Sequence, residues 1–304
     1  MTQLSFQGIF PPLPTSFDGD ENLLPDKIRF NIRKLSKYNL TGFLILGSNG
    51  EQVMLSESEK IKAIAAAREA LPSGRLLLAG TGCQSTRETI TLTRAAAAEG
   101  ADAVLVINPF YYKGSMNHDE LVRHYFGVAD ASPVPVLVYN MPGNTGIDMT
   151  ASMIITMASH PNIAGLKESG GNVVKMGEVL QNVKPDFQVL AGGAGFLLPA
   201  LAMGATGGIL ASANIAPQHC IDIYNAFRIG EADRAKYLQQ RIIPLNAAVT
   251  SRWGVPALKV AMDHVGLWGG HVRRPLLPLR EELRQQLLAL LGDNELLVFN
   301  ESEK

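Results

Sequence analysis

Residues 103–142 read AVLVINPFYYKGSMNHDELVRHYFGVADASPVPVLVYNMP. The stretch opens and closes on short apolar runs rich in β-branched residues, 103–109 and 135–142, with an amphipathic segment at 117–131 between them. Runs of that length are strands, and a helix-length connection is what two parallel strands require. This strand–helix–strand unit sets the reading of the whole chain.

Working outward, the same alternation recurs. Further strands are predicted at 8–17, 42–47, 76–82, 163–169, 187–193 and 207–214, and further helices at 25–38, 56–71 and 85–99. Ser56 with Glu59, and Ser85 with Glu88, have the spacing of a capping box and mark helix starts. Eight strands alternating with helices predict an α/β fold, a (β/α)₈ TIM barrel. The alternative is an open doubly wound sheet, which is disfavoured because no Gly-x-Gly-x-x-Gly turn follows the first strand. Gly192, Gly193 and Gly195 come too late in the chain to supply one.

After residue 214 the pattern turns to helices alone, predicted at 217–229, 231–248, 255–265 and 278–291. The first of these is placed to close the eighth barrel unit. The chain therefore divides into a barrel catalytic domain, 1–228, and an appended C-terminal helical region, 229–304. The polar end, 300–304, is expected to fray.

With 304 residues, 46% hydrophobic and 18% charged, the chain suits a large buried core. A formal net charge of −1 without a basic stretch argues against nucleic acid as a partner. Cys83 and Cys220 lack metal-type spacing and suit a reducing compartment. The start MTQLSFQGIF has no basic segment followed by an apolar run, and no apolar stretch approaches the ~20 residues of a bilayer span. A cytoplasmic protein without membrane association is expected.

In a barrel of this kind chemistry sits at the carboxyl-terminal strand ends. Four polar features fall there: Gly47-Ser48-Asn49-Gly50-Glu51, Pro109-Phe110-Tyr111-Tyr112, Tyr139-Asn140-Met141-Pro142 and Gly165-Leu166-Lys167-Glu168-Ser169. Lys167 follows the apolar run from Ile163, where a lysine is costly to bury. Desolvation disfavours an ammonium, which leaves a lysine in such a place a free amine to attack a ketone. The resulting iminium is an electron sink for cleavage of a neighbouring carbon–carbon bond. Set against this, an isolated lysine at a strand mouth more often extends into water. Tyr139 lies one unit earlier, within reach of Lys167, and a phenol there relays protons; taken alone, it or Tyr111 is as readily a rim aromatic bonded to backbone. The Gly47–Glu51 loop offers consecutive amides suited to a carboxylate, although such a run is frequently only a turn. Their coincidence on one barrel face favours function.

These residues resemble the dihydrodipicolinate synthase and N-acetylneuraminate lyase superfamily, over about residues 6–292. The loop is similar to its Gly-[Ser/Thr]-x-Gly-Glu carboxylate site, Tyr139-Asn140-x-Pro142 to its tyrosine motif, and Gly165-Leu166-Lys167-Glu168-Ser169 to its Schiff-base strand. Pro256-Ala257-Leu258-Lys259 and Arg274-Pro275-Leu276 also resemble its carboxyl-terminal patterns. The resemblance implies that Lys167 forms the imine, that Tyr139 shuttles protons, and that Ser48 and Tyr111 complete a hydroxyl relay. Tyr111 would be offered across a tight dimer interface within a homotetramer. The resemblance further implies that Ser48 and Asn49 hold the pyruvyl carboxylate, that the Ile209 carbonyl holds the lysine, and that Gly192 belongs to the substrate site. Neither a metal nor an organic cofactor is implied.

Where the synthases of that superfamily carry an arginine for the carboxylate of their aldehyde substrate, this chain has Asn144. A neutral amide cannot supply the bidentate charge-assisted pairing of a guanidinium. Asn144-Thr145-Gly146, Lys167-Glu168-Ser169-Gly170-Gly171 and Pro244-x-Asn246-Ala247-Ala248-Val249-Thr250 look closest to 4-hydroxy-2-oxoglutarate aldolases. On that reading Asn49 and Ser169 meet a second, distal carboxylate, and the small-molecule partner is a 2-oxo acid cleaved to pyruvate and glyoxylate. The alternatives are a lyase or dehydratase of sugar acids, a dihydrodipicolinate synthase, or a non-catalytic 2-oxo-acid sensor. The intact lysine, tyrosine and loop speak against the sensor.

Overall fold

A computed structural model describes residues 4–292; the expected fraying of 300–304 lies outside them. The order of elements follows the predicted alternation. It begins with β1 (Gly8–Phe10), α1 (Pro25–Leu35), β2 (Gly42–Ile45), α2 (Glu57–Ala70), β3 (Leu76–Gly80) and α3 (Thr86–Ala98). It continues with β4 (Ala103–Ile107), α4 (His118–Ala131), β5 (Val136–Asn140), α5 (Pro142–Thr145), α6 (Ala151–Ala158) and β6 (Ile163–Glu168). Then come α7 (Val173–Gln181), β7 (Gln188–Ala191), α8 (Leu197–Ala202), β8 (Gly207–Ile209) and α9 (Pro217–Arg228). Three C-terminal helices follow among the described residues: α10 (Ala232–Ala247), α11 (Gly254–His264) and α12 (Glu281–Gly292).

The described strands form one parallel sheet in the order β1-β8-β7-β6-β5-β4-β3-β2. The ends meet: Thr41 N–H donates to Ile9 O at 3.0 Å, and Leu13 N–H donates to Leu44 O at 2.9 Å. This is the expected TIM barrel, and an open doubly wound sheet is excluded. Local signals operate as read. Ser56 accepts from Glu59 N–H while the Glu59 carboxylate accepts from Ser56 N–H, closing the capping box that starts α2. Ser85 likewise caps α3. The first strand ends earlier than predicted because Pro11, Pro12 and Pro14 lack the N–H groups a ladder needs. The eighth also stops early, at Ile209, where the chain tightens into a 3₁₀ turn, Ala211–Asn214.

Side-chain alternation separates two cores. Val136, Val138 and Leu166 face outward into the layer between strands and helices, whereas Leu137 and Tyr139 point to the barrel axis with Phe10, Leu78, Leu105, Leu190 and Ile209. The period of two along β6 therefore turns Gly165 and Lys167 inward, on the opposite side from Leu166. Burying each large side chain of these layers contributes about 1.5–3 kcal/mol. Among the described residues, no helix is long and apolar enough to cross a membrane.

Candidate active site

Tyr139 and Lys167 are direct partners in the β5–β6 register. Both are 4% exposed, and the Lys167 amine lies 4.2 Å from the centre of the Tyr139 ring. The Tyr139 phenol stands 3.2 Å from Ser48 Oγ, which arrives from the loop after β2. These three groups share a cavity of about 620 Å³ at the carboxyl-terminal mouth of the barrel, together with Asn49, Asn144, Ser169, Gly192 and Ile209. One cavity thus collects every predicted site residue except Tyr111.

Tyr111 stands apart. It is 74% exposed, sits edge-on to Tyr112, and its backbone N–H donates to Gln84 Oε1 at 2.9 Å. A smaller cavity of about 320 Å³ touches Ser48, Tyr139 and Asn144 and reaches Phe110, one residue short of Tyr111. Within one chain the hydroxyls of Ser48 and Tyr139 are therefore in contact without Tyr111. A groove of about 710 Å³, lined by Glu57, Lys60, Cys83, Gln84 and Arg87, borders Gln52 and Phe110 and contains neither Lys167 nor Tyr139.

Several contacts hold the reactive strands in place. Behind them, on the outward face, Asn140 Nδ2 donates to both carboxylate oxygens of Glu168 at 3.1 and 2.9 Å, tying β5 to β6. Glu168 is fully buried and is compensated by Lys175, 3.1 Å away on α7, and by the Gly170 N–H. Lys175 also pairs with Asp148. Partial burial opposes ionisation of Asp148, but hydrogen bonds from Lys175 and Asn140 outweigh it and hold the carboxyl below its ordinary value. Gly192 permits the closest approach in the site: a Cβ there would lie 1.8 Å from Ser169 Oγ and 2.8 Å from Glu168 O. The Ser169 hydroxyl and the Asn49 amide nitrogen are buried and have no hydrogen-bond partner among the described residues. Both residues line the cavity, and their two unspent donors lie just beneath its wall.

The remaining wall comes from the C-terminal region. Asn246, Val249, Thr250 and Ser251 line the cavity although none was predicted as a site residue. Pro244 inside α10 deletes a helical hydrogen bond, and the chain widens into a π-helical turn, Ala248–Arg252. Asn246 Oδ1 accepts from Ala194 N–H at 3.1 Å, and Thr250 Oγ1 donates to Asn246 O at 2.6 Å. Motif 244–250 was visible in the sequence, but helical periodicity says nothing about which mouth of the barrel a following helix covers.

A buried lysine thus stands beside a strand-end tyrosine whose phenol meets Ser48 of the loop after β2. Residues 5–294 match the model of the dihydrodipicolinate synthetase family. The chain belongs to that family. It is 34% identical to a 4-hydroxy-tetrahydrodipicolinate synthase of Methanothrix thermoacetophila, over 94% of this chain and 96% of the relative. It is 36% identical to a probable mitochondrial 4-hydroxy-2-oxoglutarate aldolase of Emericella nidulans, over 90% of this chain and 91% of the relative. Among solved structures, a dihydrodipicolinate synthase of Bacillus anthracis superposes with a TM-score of 0.92 at 28% identity, covering 96% of this chain and 99% of the other. A prophage protein of the same family from E. coli K12, solved with pyruvate, gives a TM-score of 0.89 at 33% identity, covering 95% and 98%. This member of the dihydrodipicolinate synthetase family is an enzyme, a class I carbon–carbon lyase that works through a Schiff base with pyruvate.

Proposed function

We propose that the protein cleaves a 4-hydroxy-2-oxo acid, 4-hydroxy-2-oxoglutarate in the first place, to pyruvate and glyoxylate, with Lys167 as the imine-forming residue. The Lys167 amine adds to the C2 ketone, and loss of water gives the iminium. Tyr139 takes the proton of the C4 hydroxyl while passing its own to Ser48, whose hydroxyl releases its proton to solvent. The C3–C4 bond breaks, its electron pair enters the iminium to form an enamine, and glyoxylate leaves. A proton returns to C3, and water hydrolyses the new iminium to pyruvate and free Lys167.

The observation that carries this reading is the composition of the cavity wall. Lys167 is the one lysine or arginine among the described lining residues, and the partnerless donors are the neutral Asn49 amide and Ser169 hydroxyl. A distal carboxylate is therefore met by hydrogen bonds from neutral side chains and by no second lysine or arginine among the described lining residues. Asn144 on that wall lacks the guanidinium with which a synthase meets its aldehyde's carboxylate, which weighs against the condensation and leaves the glyoxylate carboxylate to neutral donors.

A second reading, condensation of pyruvate as in the 4-hydroxy-tetrahydrodipicolinate synthases, is favoured by the names of several relatives. The deciding assay follows pyruvate release from 4-hydroxy-2-oxoglutarate, with N-acetylneuraminate and 2-keto-3-deoxygluconate in parallel, and tests condensation of pyruvate with aspartate semialdehyde. Release from the first alone, abolished by Lys167→Ala, supports the aldolase. Turnover of a sugar acid or of the semialdehyde alone keeps the Schiff base and overturns the assigned substrate.

The family resemblance also extends to assembly. We take Tyr111 to reach the Ser48–Tyr139 pair of a second subunit in a tight dimer, two such dimers making a homotetramer in the cytoplasm. Sedimentation tests the assembly, and loss of activity on dilution to monomer tests the shared site.

A further inference from the structure

The loop bearing Ser48 and Asn49 is backbone under strain. Leu46 before it and Glu51 after it both occupy the left-handed region, with φ of 59° and 53°. Non-glycine residues are strained there and persist only where their surroundings dictate the conformation. Two anchors at one end of the loop do so here. Thr15 Oγ1 donates to Gly50 O at 2.5 Å. The second is Glu51, whose side chain is buried at 3% exposure and runs away from the cavity. Its Oε1 lies 2.6 Å from the Lys259 ammonium on α11, and its Oε2 accepts the Arg273 N–H at 2.8 Å.

The grip is made by the C-terminal region. Lys259 is 1% exposed; it also donates to His271 O, and its ammonium lies 4.7 Å from the centre of the Phe17 ring. Arg273 lies against the same ring at 4.2 Å and forks onto Glu59 of α2 at 2.9 and 2.7 Å, while reaching Met54 O at 3.0 Å. The chain is therefore held on both sides of the short turns between Glu51 and α2. Burial pushes the Lys259 ammonium down, and the Glu51 carboxylate works against that. Neither Glu51 nor Lys259 lines the cavity, so any influence on substrate passes through the backbone they fix.

We infer that the buried Glu51–Lys259 pair is a positioning device for substrate: it sets the Ser48–Asn49 turn so that the Ser48 hydroxyl and the backbone N–H groups of Ser48 and Asn49 meet the pyruvyl carboxylate. The inference rests on the proposal that this turn receives that carboxylate. Two effects combine. The pair dictates the left-handed conformation at Glu51, and it neutralises a carboxylate beside a site for an anion.

The test compares two ketones that share the imine chemistry and differ in the carboxylate: pyruvate and acetone. Each is trapped on the protein with borohydride and read by intact mass, for the wild type, Glu51→Ala, Lys259→Met and the double variant. A misplaced turn is expected to raise the pyruvate concentration for half-maximal trapping about tenfold or more, with acetone trapping unchanged. Each single change leaves an uncompensated buried charge or an unfilled site, so thermal stability falls in both. The double variant removes both charges and regains stability while keeping the weakened response to pyruvate. If a single variant does not fold, the double variant carries the test. Equal losses for both ketones, an unchanged pyruvate requirement, or a double variant that recovers pyruvate trapping would each overturn the inference. Failure of the wild type to trap pyruvate at all would instead sink the Schiff-base reading on which it rests.

Discussion

Ser48 Oγ and the Tyr139 phenol oxygen stand 3.2 Å apart, joining the loop after β2 to the end of β5 beside the Lys167 amine. Tyr139 is packed in the barrel interior with Leu137, Leu190 and Ile209, which hold its ring, while its hydroxyl meets Ser48 and one ring face meets the Lys167 amine. Support of the ring and delivery of the proton are therefore separable.

Tyr139→Phe keeps the ring and removes the relay. Turnover is expected to fall by about 10²–10⁴, the usual worth of a positioned acid–base group. The Lys167 imine should still be trapped by borohydride. Steady-state kinetics and intact mass read the two effects separately; complete loss of the adduct with an intact fold would show that Tyr139 is needed to form the imine itself.

Gly192→Ala forces a Cβ into Ser169 Oγ and toward Glu168 O. The serine has to turn away, and with it one of the two unspent donors. The expected outcome is a KM for 4-hydroxy-2-oxoglutarate raised about tenfold, the cost of one lost hydrogen bond to a charged group. Pyruvate trapping should change little, and Ser169→Ala should give the same pattern. A parallel rise for pyruvate would place Ser169 at the wrong end of the substrate.

Lys175→Met strands the Glu168 carboxylate in a dry site with only Asn140 and the Gly170 N–H for partners. Removing one partner of a buried pair costs about 3–5 kcal/mol. Urea unfolding should register that loss; a change below about 1 kcal/mol would mean that Asn140 and Gly170 suffice.

His124 supplies a pH dependence. Burial holds its imidazole down from 6.5 to about 4, and its Nδ1 lies 2.9 Å from Thr86 Oγ1. Below pH 6.5 the unfolded chain takes up a proton that the folded chain refuses until about pH 4. Stability contributed by neutral His124 is therefore lost as pH falls through that window, by up to about 3 kcal/mol, and levels off below it. His124→Gln should flatten this part of the stability curve in urea titrations from pH 4 to 8. An identical slope in the variant would assign the acid sensitivity elsewhere.

Much of the site was legible before the fold was known, for specific reasons. Lys167 stood out because it follows an apolar strand run, where a lysine is costly to bury without a use. Tyr139 was legible as its neighbour because parallel strands in sequential order bring equivalent ends together. Strand ends were less legible: β1 and β8 stop at prolines and a 3₁₀ turn that apolar content alone does not reveal. Tyr111 showed its motif but not its place, since a single chain leaves it exposed. The cavity wall at Asn246 and Thr250 was illegible as a wall. It depends on α10 lying across the barrel mouth and opening into a π turn there.

The amino-acid sequence by itself determined the alternating elements, the strand-end motifs, and the family to which the chain belongs. Those properties are local: hydrophobic period, capping and short motifs act over a few residues. The tertiary structure alone decided that Ser48 meets Tyr139, that Asn49 and Ser169 keep unspent donors at one wall, and that Lys259 of α11 grips Glu51. Such meetings follow from barrel closure and from the packing of the C-terminal helices over its mouth. Long-range packing of that kind leaves no periodic trace in the sequence.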